Sequence, residues 1–251
     1  MTVSIVTVCR NSAATIADAI SSVAGQRYPD IEHVIVDGNS SDGTPDIVER
    51  SNRRAGPFVS EPDRGIYDAM NKGIGLSSGE IVGFLNADDT FADDEVVERI
   101  VAPFGEPGIE CVFGDLVYVQ ERDPTRVLRT WKPGPFNPGA FSRGWHPPHP
   151  TFYTRKESFH QYGAFDTSLA VSADFELMLR FLERHHLRSR YVPHLLVRMR
   201  TGGVSNRSFR NMMIGNRNCV AAFRRNGMRA PLLYPLLRLA PKLSQFITNG
   251  K

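Results

Sequence analysis

Cysteine is scarce in this chain. The 251 residues hold three, Cys9, Cys111 and Cys219, far apart and without the paired spacing of a zinc site or a disulfide framework, so a reducing compartment is expected. Long apolar runs are missing as well. No stretch approaches the ~20 residues of a membrane span, and the opening Met-Thr-Val-Ser-Ile-Val enters a strand pattern with no basic region or cleavage site of a signal peptide. A cytoplasmic protein is expected. Charge of one sign is not in excess either, since a formal net charge of +3 with 23% charged residues is too little to indicate nucleic acid. The glycines Gly73-x-Gly75-x-x-x-Gly79 end a helical pattern and precede a strand, the reverse of a dinucleotide fingerprint, which argues against a dehydrogenase. There is no internal repeat and no low-complexity tract.

What is present is an ordinary globular composition, 41% hydrophobic, enough for one sizeable core or a core with a subdomain. Up to about residue 115 strand and helix patterns alternate: strands over 3–8, 33–36 and 81–85, and apolar residues at helical spacing over 15–23. Strands buried on both faces and interleaved with helices predict an α/β fold with a doubly wound, mostly parallel sheet. Ligands of such sheets bind beyond the carboxyl ends of the strands. Three polar clusters stand there: Arg10-Asn11-Ser12, the turn from Asp37 to Thr44, and Asn86-Ala87-Asp88-Asp89. Residues 111–132 read as short strands with a hairpin turn near Arg122-Asp123-Pro124, residues 133–150 as an irregular loop, residues 172–185 as a helix with Phe175, Met178, Leu179 and Leu182 on one face, and 212–226 as another helix. Acids gather before residue 124 and arginines after Arg180. The leucine- and arginine-rich tail suits either an anionic bilayer surface or a helix packed on its own domain.

The most informative run is Gly83-Phe84-Leu85-Asn86-Ala87-Asp88-Asp89, an apolar strand ending on two adjacent carboxylates. Mg²⁺ and Mn²⁺ are held by one or two carboxylates plus substrate phosphates, so the pair predicts a divalent-cation and diphosphate site. Taken alone, the pair is better explained as a strand end capping the next helix, and the other motifs around it reverse that order. Asp37, before Gly38, can accept hydrogen bonds from a ribose or base. Arg64, at the start of a helix, suits phosphate or base contacts, while Lys72 fits an i, i+4 pair with Asp68. Asp174 begins the later helix, either as a first-turn acid favoured by the dipole or as a general base beside a loop carrying Trp145, His146 and His149. Prolines break up Trp-His-Pro-Pro-His-Pro, so acceptor binding or loop fixing is favoured over zinc there.

This ordered series resembles the family 2 glycosyltransferases of the GT-A fold over residues 1–205. The resemblance implies a nucleotide-sugar half (1–115), an acceptor half (116–205), and a basic helical extension (206–251). It implies nucleotide contacts at Asp37, Arg64 and Asp88, the metal on Asp89, Asp174 as catalytic base, and Thr201-Gly202-Gly203-Val204-Ser205 as a closing segment. The activity implied is metal-dependent, inverting, hexosyltransferase-like transfer from a nucleotide diphosphosugar to an acceptor hydroxyl, while the basic, leucine-rich tail points to a saccharide or lipid-linked acceptor and to peripheral contact at the inner membrane. Two departures stand out. Gly38 replaces the second acid that follows the second strand in many members, and no Gln-x-x-Arg-Trp segment is present, which argues for one-sugar transfer rather than a processive polymerase. The competing readings are a sugar nucleotidyltransferase, disfavoured because Cys9-Arg10-Asn11-Ser12 stands where a glycine-rich phosphate loop belongs, and a non-catalytic carbohydrate- or membrane-binding scaffold.

Overall fold

The computed structural model describes residues 1–51, 54–201 and 209–237. Its first half is built from apolar strands that must be covered on both faces. β1 (Val3–Cys9) is buried along its whole length, with β2 (Ile31–Asp37) on one side and β4 (Ile81–Phe84) on the other, both parallel to it. β3 (Phe58–Ser60) extends this parallel part beyond β2. The helices α1 (Ile16–Ala24), α2 (Thr44–Arg50) and α3 (Ile66–Leu76) are the crossovers. Gly73 of α3 lets the helix lie on the sheet, because a Cβ there would stand 2.3 Å from the Val6 side chain.

Beyond β4 the sheet becomes mixed. β5 (Thr90–Phe91) and α4 (Val96–Val101) lead into β6 (Cys111–Val119), which forms the expected hairpin with β7 (Val127–Trp131). β8 (Tyr153–Arg155) inserts antiparallel between β4 and β6. The long β9 (Ser189–Arg200) runs parallel to β6 and pairs antiparallel with β5. The path is β3-β2-β1-β4-β8-β6-β9-β5, with β7 on β6.

Between β8 and β9 lie α5 (Lys156–Tyr162) and α6 (Ala173–Leu179), the latter continuing through a wider π turn over Arg180–Arg184. Phe175, Met178, Leu179 and Leu182 are buried, as their spacing predicts. Arg180 is buried with them and donates to both Glu176 oxygens at 3.0 Å and to the carbonyls of Gly163 and Ala164 at 2.8 and 2.7 Å. Stranding one partner of such a buried pair costs ~3–5 kcal/mol, so this cluster fixes the axis of α6. From α7 (Phe209–Arg225), Cys219, Ala222 and Phe223 join the same core as Phe175, as does Tyr234 of α8 (Tyr234–Leu237). Asn226, just past α7, donates to Glu176 at 2.9 Å. This part of the tail is packed on the domain.

Candidate active site

Asp37 closes β2 opposite Cys9. It is wholly buried and accepts hydrogen bonds from the Ser40 amide at 2.9 Å, the Ser40 hydroxyl, the Ser60 hydroxyl at 2.7 Å and the Cys9 thiol at 3.5 Å. Burial alone would raise its pKa, but the bonds from Ser40, Ser60 and Cys9 outweigh it and hold the carboxyl below the usual range. These bonds take up the acceptor capacity that a base or ribose would need. Asp37 thereby braces the turn that follows β2. Asp37→Asn is expected to cost about 1–3 kcal/mol at neutral pH by leaving buried donors unpaired. Because the folded pKa is lowered, that stability is present above the unfolded value of about 3.9 and lost as pH falls through the lowered one. Urea unfolding of wild type and variant should therefore differ at pH 7 and converge towards acid.

Gly38 gives up its side-chain volume to another acid. A Cβ there would stand 2.2 Å from Asp63 Oδ2 and 3.4 Å from Arg10 Cδ, so the Asp63 carboxylate occupies the space of the missing second acid. Asp63 Oδ1 accepts from the Gly65 amide at 2.8 Å. The loop after β1 is latched to the loop after β2 by Asn11 accepting from the Ser41 amide (3.0 Å) and Asp42 accepting from the Ala13 amide (3.0 Å). Arg64 lies at the rim, 84% exposed, paired with Asp68 at 2.9 Å. Lys72 takes Glu61 at 2.6 Å in place of the expected Asp68.

Beyond the end of β4 the two adjacent acids differ in burial. Asp89 is completely buried, accepting from Asn86 Nδ2 at 3.0 Å and from the Arg200 amide at 3.3 Å. Burial, and then the neighbouring Asp88, push its carboxyl well above the usual range. Asp88 is half-buried. Among the described residues no cluster of three His, Cys, Asp or Glu side chains could hold a metal by itself. The donor set nevertheless fits a hard cation sharing its shell with a diphosphate. It comprises Asp88 and the buried, unpartnered Oδ1 of Asn86.

Asp174 stands in the first turn of α6, after Ser172 in a left-handed conformation (φ 69°). Its Oδ1 accepts from the Tyr67 hydroxyl at 2.9 Å. Tyr67 stacks on Phe165 (5.5 Å), and Phe165 packs against both Phe84 (5.3 Å) and His149 (5.6 Å). His149 lies flat on Phe84 at 5.2 Å, is buried, and has an unpartnered Nε2. Burial lowers its pKa and the Asp174 carboxylate opposes the shift. It forms part of the aromatic wall behind Asp174. Trp145 and His146 are half-buried in the loop beyond β7: Trp145 donates to the Pro133 carbonyl at 2.6 Å, and His146 sits 5.6 Å from Phe175.

These contacts tie Asp174 to the end of β4, the strand that Asp88 follows. Asp37 and Asp88 follow strands on either side of β1, and Asp174 is held beside the last residue of β4 through Tyr67, Phe165 and His149. The phenol of Tyr118, on β6, lies in the field of both Asp89 and Asp174. The profile of "Glycosyl transferase family 2" matches residues 4–163. The chain belongs to that family. An uncharacterised glycosyltransferase of Mycobacterium tuberculosis is 31% identical over 182 residues, covering 71% of this chain and 68% of the relative. A PGL/p-HBAD biosynthesis glycosyltransferase of Mycobacterium bovis is 30% identical over 202 residues, covering 78% and 76%. S. aureus TarS 1–349 in complex with UDP-GlcNAc superposes with a TM-score of 0.68 at 18% identity, over 100% of this chain and 75% of that one. The mannosyltransferase PcManGT of Pyrobaculum calidifontis, in complex with GDP-Man and Mn²⁺, gives 0.65 at 22% identity, over 96% and 69%. The GT-A-like α/β fold expected from the sequence is the fold observed.

Three residues of this glycosyltransferase were not singled out by sequence reasoning. Tyr67 and Asp63 lie inside the dense polar run that opens α3, but their partners are 107 residues away for Tyr67 and across the β1–β2 edge for Asp63. Asn86 was visible only as part of its motif. Of the closing segment, Thr201 is described and the rest lies outside the described residues, as does the tail beyond residue 237.

Proposed function

We propose that this glycosyltransferase moves a single sugar from a nucleoside diphosphosugar to an acceptor hydroxyl with inversion at the anomeric carbon. The observation that carries the reading is the chain of contacts from Asp174 through Tyr67 and Phe165 to Phe84 at the end of β4, the strand that Asp88 follows, with an aromatic wall behind Asp174. Asp88, with Asn86 Oδ1, holds a divalent cation, Mn²⁺ or Mg²⁺. When bound, that ion offsets the charge developing on the leaving diphosphate, worth several kcal/mol. Asp174, oriented by Tyr67, takes the proton from the attacking hydroxyl, so a single in-line displacement suffices and no enzymic nucleophile is needed. Asp63 reads the nucleobase with its oxygen beside Gly38. Arg64 contacts the nucleotide at the rim, Asp37 supports the turn, and Trp145 and His146 border the acceptor. The complexes of structural neighbours with UDP-GlcNAc, and with GDP-Man and Mn²⁺, support a nucleotide-sugar donor. The test is a screen of UDP-, GDP- and dTDP-sugars with and without Mn²⁺, following donor consumption and the anomeric configuration of the product by NMR. Metal-dependent consumption with inversion is expected. Retention, or no consumption of any donor, would overturn the reading.

The acceptor is proposed to be lipid-linked, reached by peripheral contact. No helix among the described residues is long and apolar enough to cross a membrane. Leu232 and Leu233 are nonetheless exposed, at 101% and 63%, a few residues along the chain from the exposed Arg224 and Arg229, a combination suited to an anionic surface. Replacing both leucines with aspartate should abolish co-sedimentation with phosphatidylglycerol vesicles without lowering the thermal midpoint. Unchanged sedimentation would rule out this contact.

A further inference from the structure

We propose that Tyr118 and Trp131, steadied by Arg129, form the shelf on which a pyranose ring of the acceptor rests while its hydroxyl meets Asp174; this rests on the sugar-transfer reading. The register of the β6–β7 hairpin sets Leu116 beside Trp131 and Tyr118 beside Arg129. Alternation along a strand therefore puts all four on one sheet face. The Tyr118 and Trp131 rings are parallel within 7°, their centroids 6.4 Å apart. The Arg129 guanidinium lies 3.9 Å from the Tyr118 centroid, a cation–π contact that fixes the ring's tilt. Both rings pack against the core that holds Leu116 and Val197, and Arg129 lies over a face of Tyr118, but each ring is only half-buried and keeps some exposed surface.

The shelf lies between the two chemical ends of the cleft. On one side, Met199 pairs with Tyr118 across β6 and β9, and the next residue, Arg200, donates its amide to Asp89 beside Asp88. On the other side, Trp131 meets His146 edge-on at 4.9 Å and His146 meets Phe175 at 5.6 Å, the residue directly after Asp174. A pyranose has two faces of C–H groups fringed by hydroxyls, which suits flat aromatic rings bordered by polar groups. An acceptor whose hydroxyl reaches Asp174 has its ring over this surface. Val127 and Leu128, on the outer part of β7, are exposed at 42% and 38%. The hairpin thus keeps its ordered aromatic rings for its inner end, where the site is.

The test uses the full chain and octyl pyranosides of glucose, galactose, mannose and N-acetylglucosamine as probes. Saturation-transfer NMR is expected to show protein contact with the ring C–H protons of at least one glycoside. Trp131→Ala should remove that contact and raise the glycoside KM about tenfold or more, with donor hydrolysis by water and nucleotide affinity unchanged. Trp131→Tyr should restore most of the loss. If the rings only glue the hairpin, Trp131→Ala will lower donor hydrolysis and transfer together, and the shelf is overturned. It is also overturned if a wild type that consumes donor contacts none of the glycosides, or if Trp131→Ala binds them normally. A wild type that consumes no nucleotide sugar defeats the transfer reading itself, and the shelf with it.

Discussion

Asparagine at position 174 is expected to lower the rate of sugar transfer by about 10²–10⁴-fold, the usual span of general-base assistance, while leaving nucleotide affinity unchanged. The substitution is nearly isosteric. Its amide oxygen can still accept from the Tyr67 hydroxyl, which now stands 2.9 Å from Asp174 Oδ1, and the side chain keeps its place in the first turn of α6. What is lost is the ability to take a proton. Single-turnover transfer should therefore fall, while calorimetric titration of the nucleoside diphosphate should match wild type. A variant that transfers at full rate would remove Asp174 from the reaction, and one that loses nucleotide binding would move it to the donor site.

The second large effect separates two neighbouring acids. Asp88→Asn should remove the metal-dependent part of donor binding and cut turnover by roughly 10³-fold, equivalent to several kcal/mol of lost Lewis-acid assistance. Asp89→Asn should keep turnover within about tenfold, because its carboxyl is already disfavoured in its charged form by burial. The Arg200 amide still finds an acceptor in the new side chain. Manganese titrations of initial rate for both variants, with circular dichroism to confirm folding, decide the matter. The reverse ranking would return the metal to Asp89.

The sequence made the parallel half of the sheet readable because β1, β2 and β4 are covered on both faces and carry near-continuous apolar runs. The helix over 172–185 was readable for the complementary reason, a single apolar face at helical spacing. β9 was not. Its Ser-Arg-Tyr-Val-Pro-His-Leu-Leu-Val-Arg-Met-Arg run lacks clean alternation, since its pairing with β6 shifts register around Asp115. β8 is three residues long and exists only because β4 and β6 flank it. In the site, the acids could be located as strand and helix ends, but their orientation could not. Asp89 turns inward to an amide 111 residues further on, and Asp63 fills the space beside Gly38 only once β2 and the start of α3 are brought together. The tail's period showed a helix, yet not that Cys219, Ala222 and Phe223 would meet the core around Phe175.

The central claim is that Asp88 and Asp174 border one cleft that holds a nucleoside diphosphate and its cation. The most direct measurement is a crystal structure with Mn²⁺ and the nucleoside diphosphate that the donor screen selects, with data collected at the manganese absorption edge. A single anomalous peak bound to Asp88, on the side facing Asp174 and bridged to the diphosphate, is predicted. A peak on any other carboxylate, or a diphosphate bound away from Asp174, would contradict it.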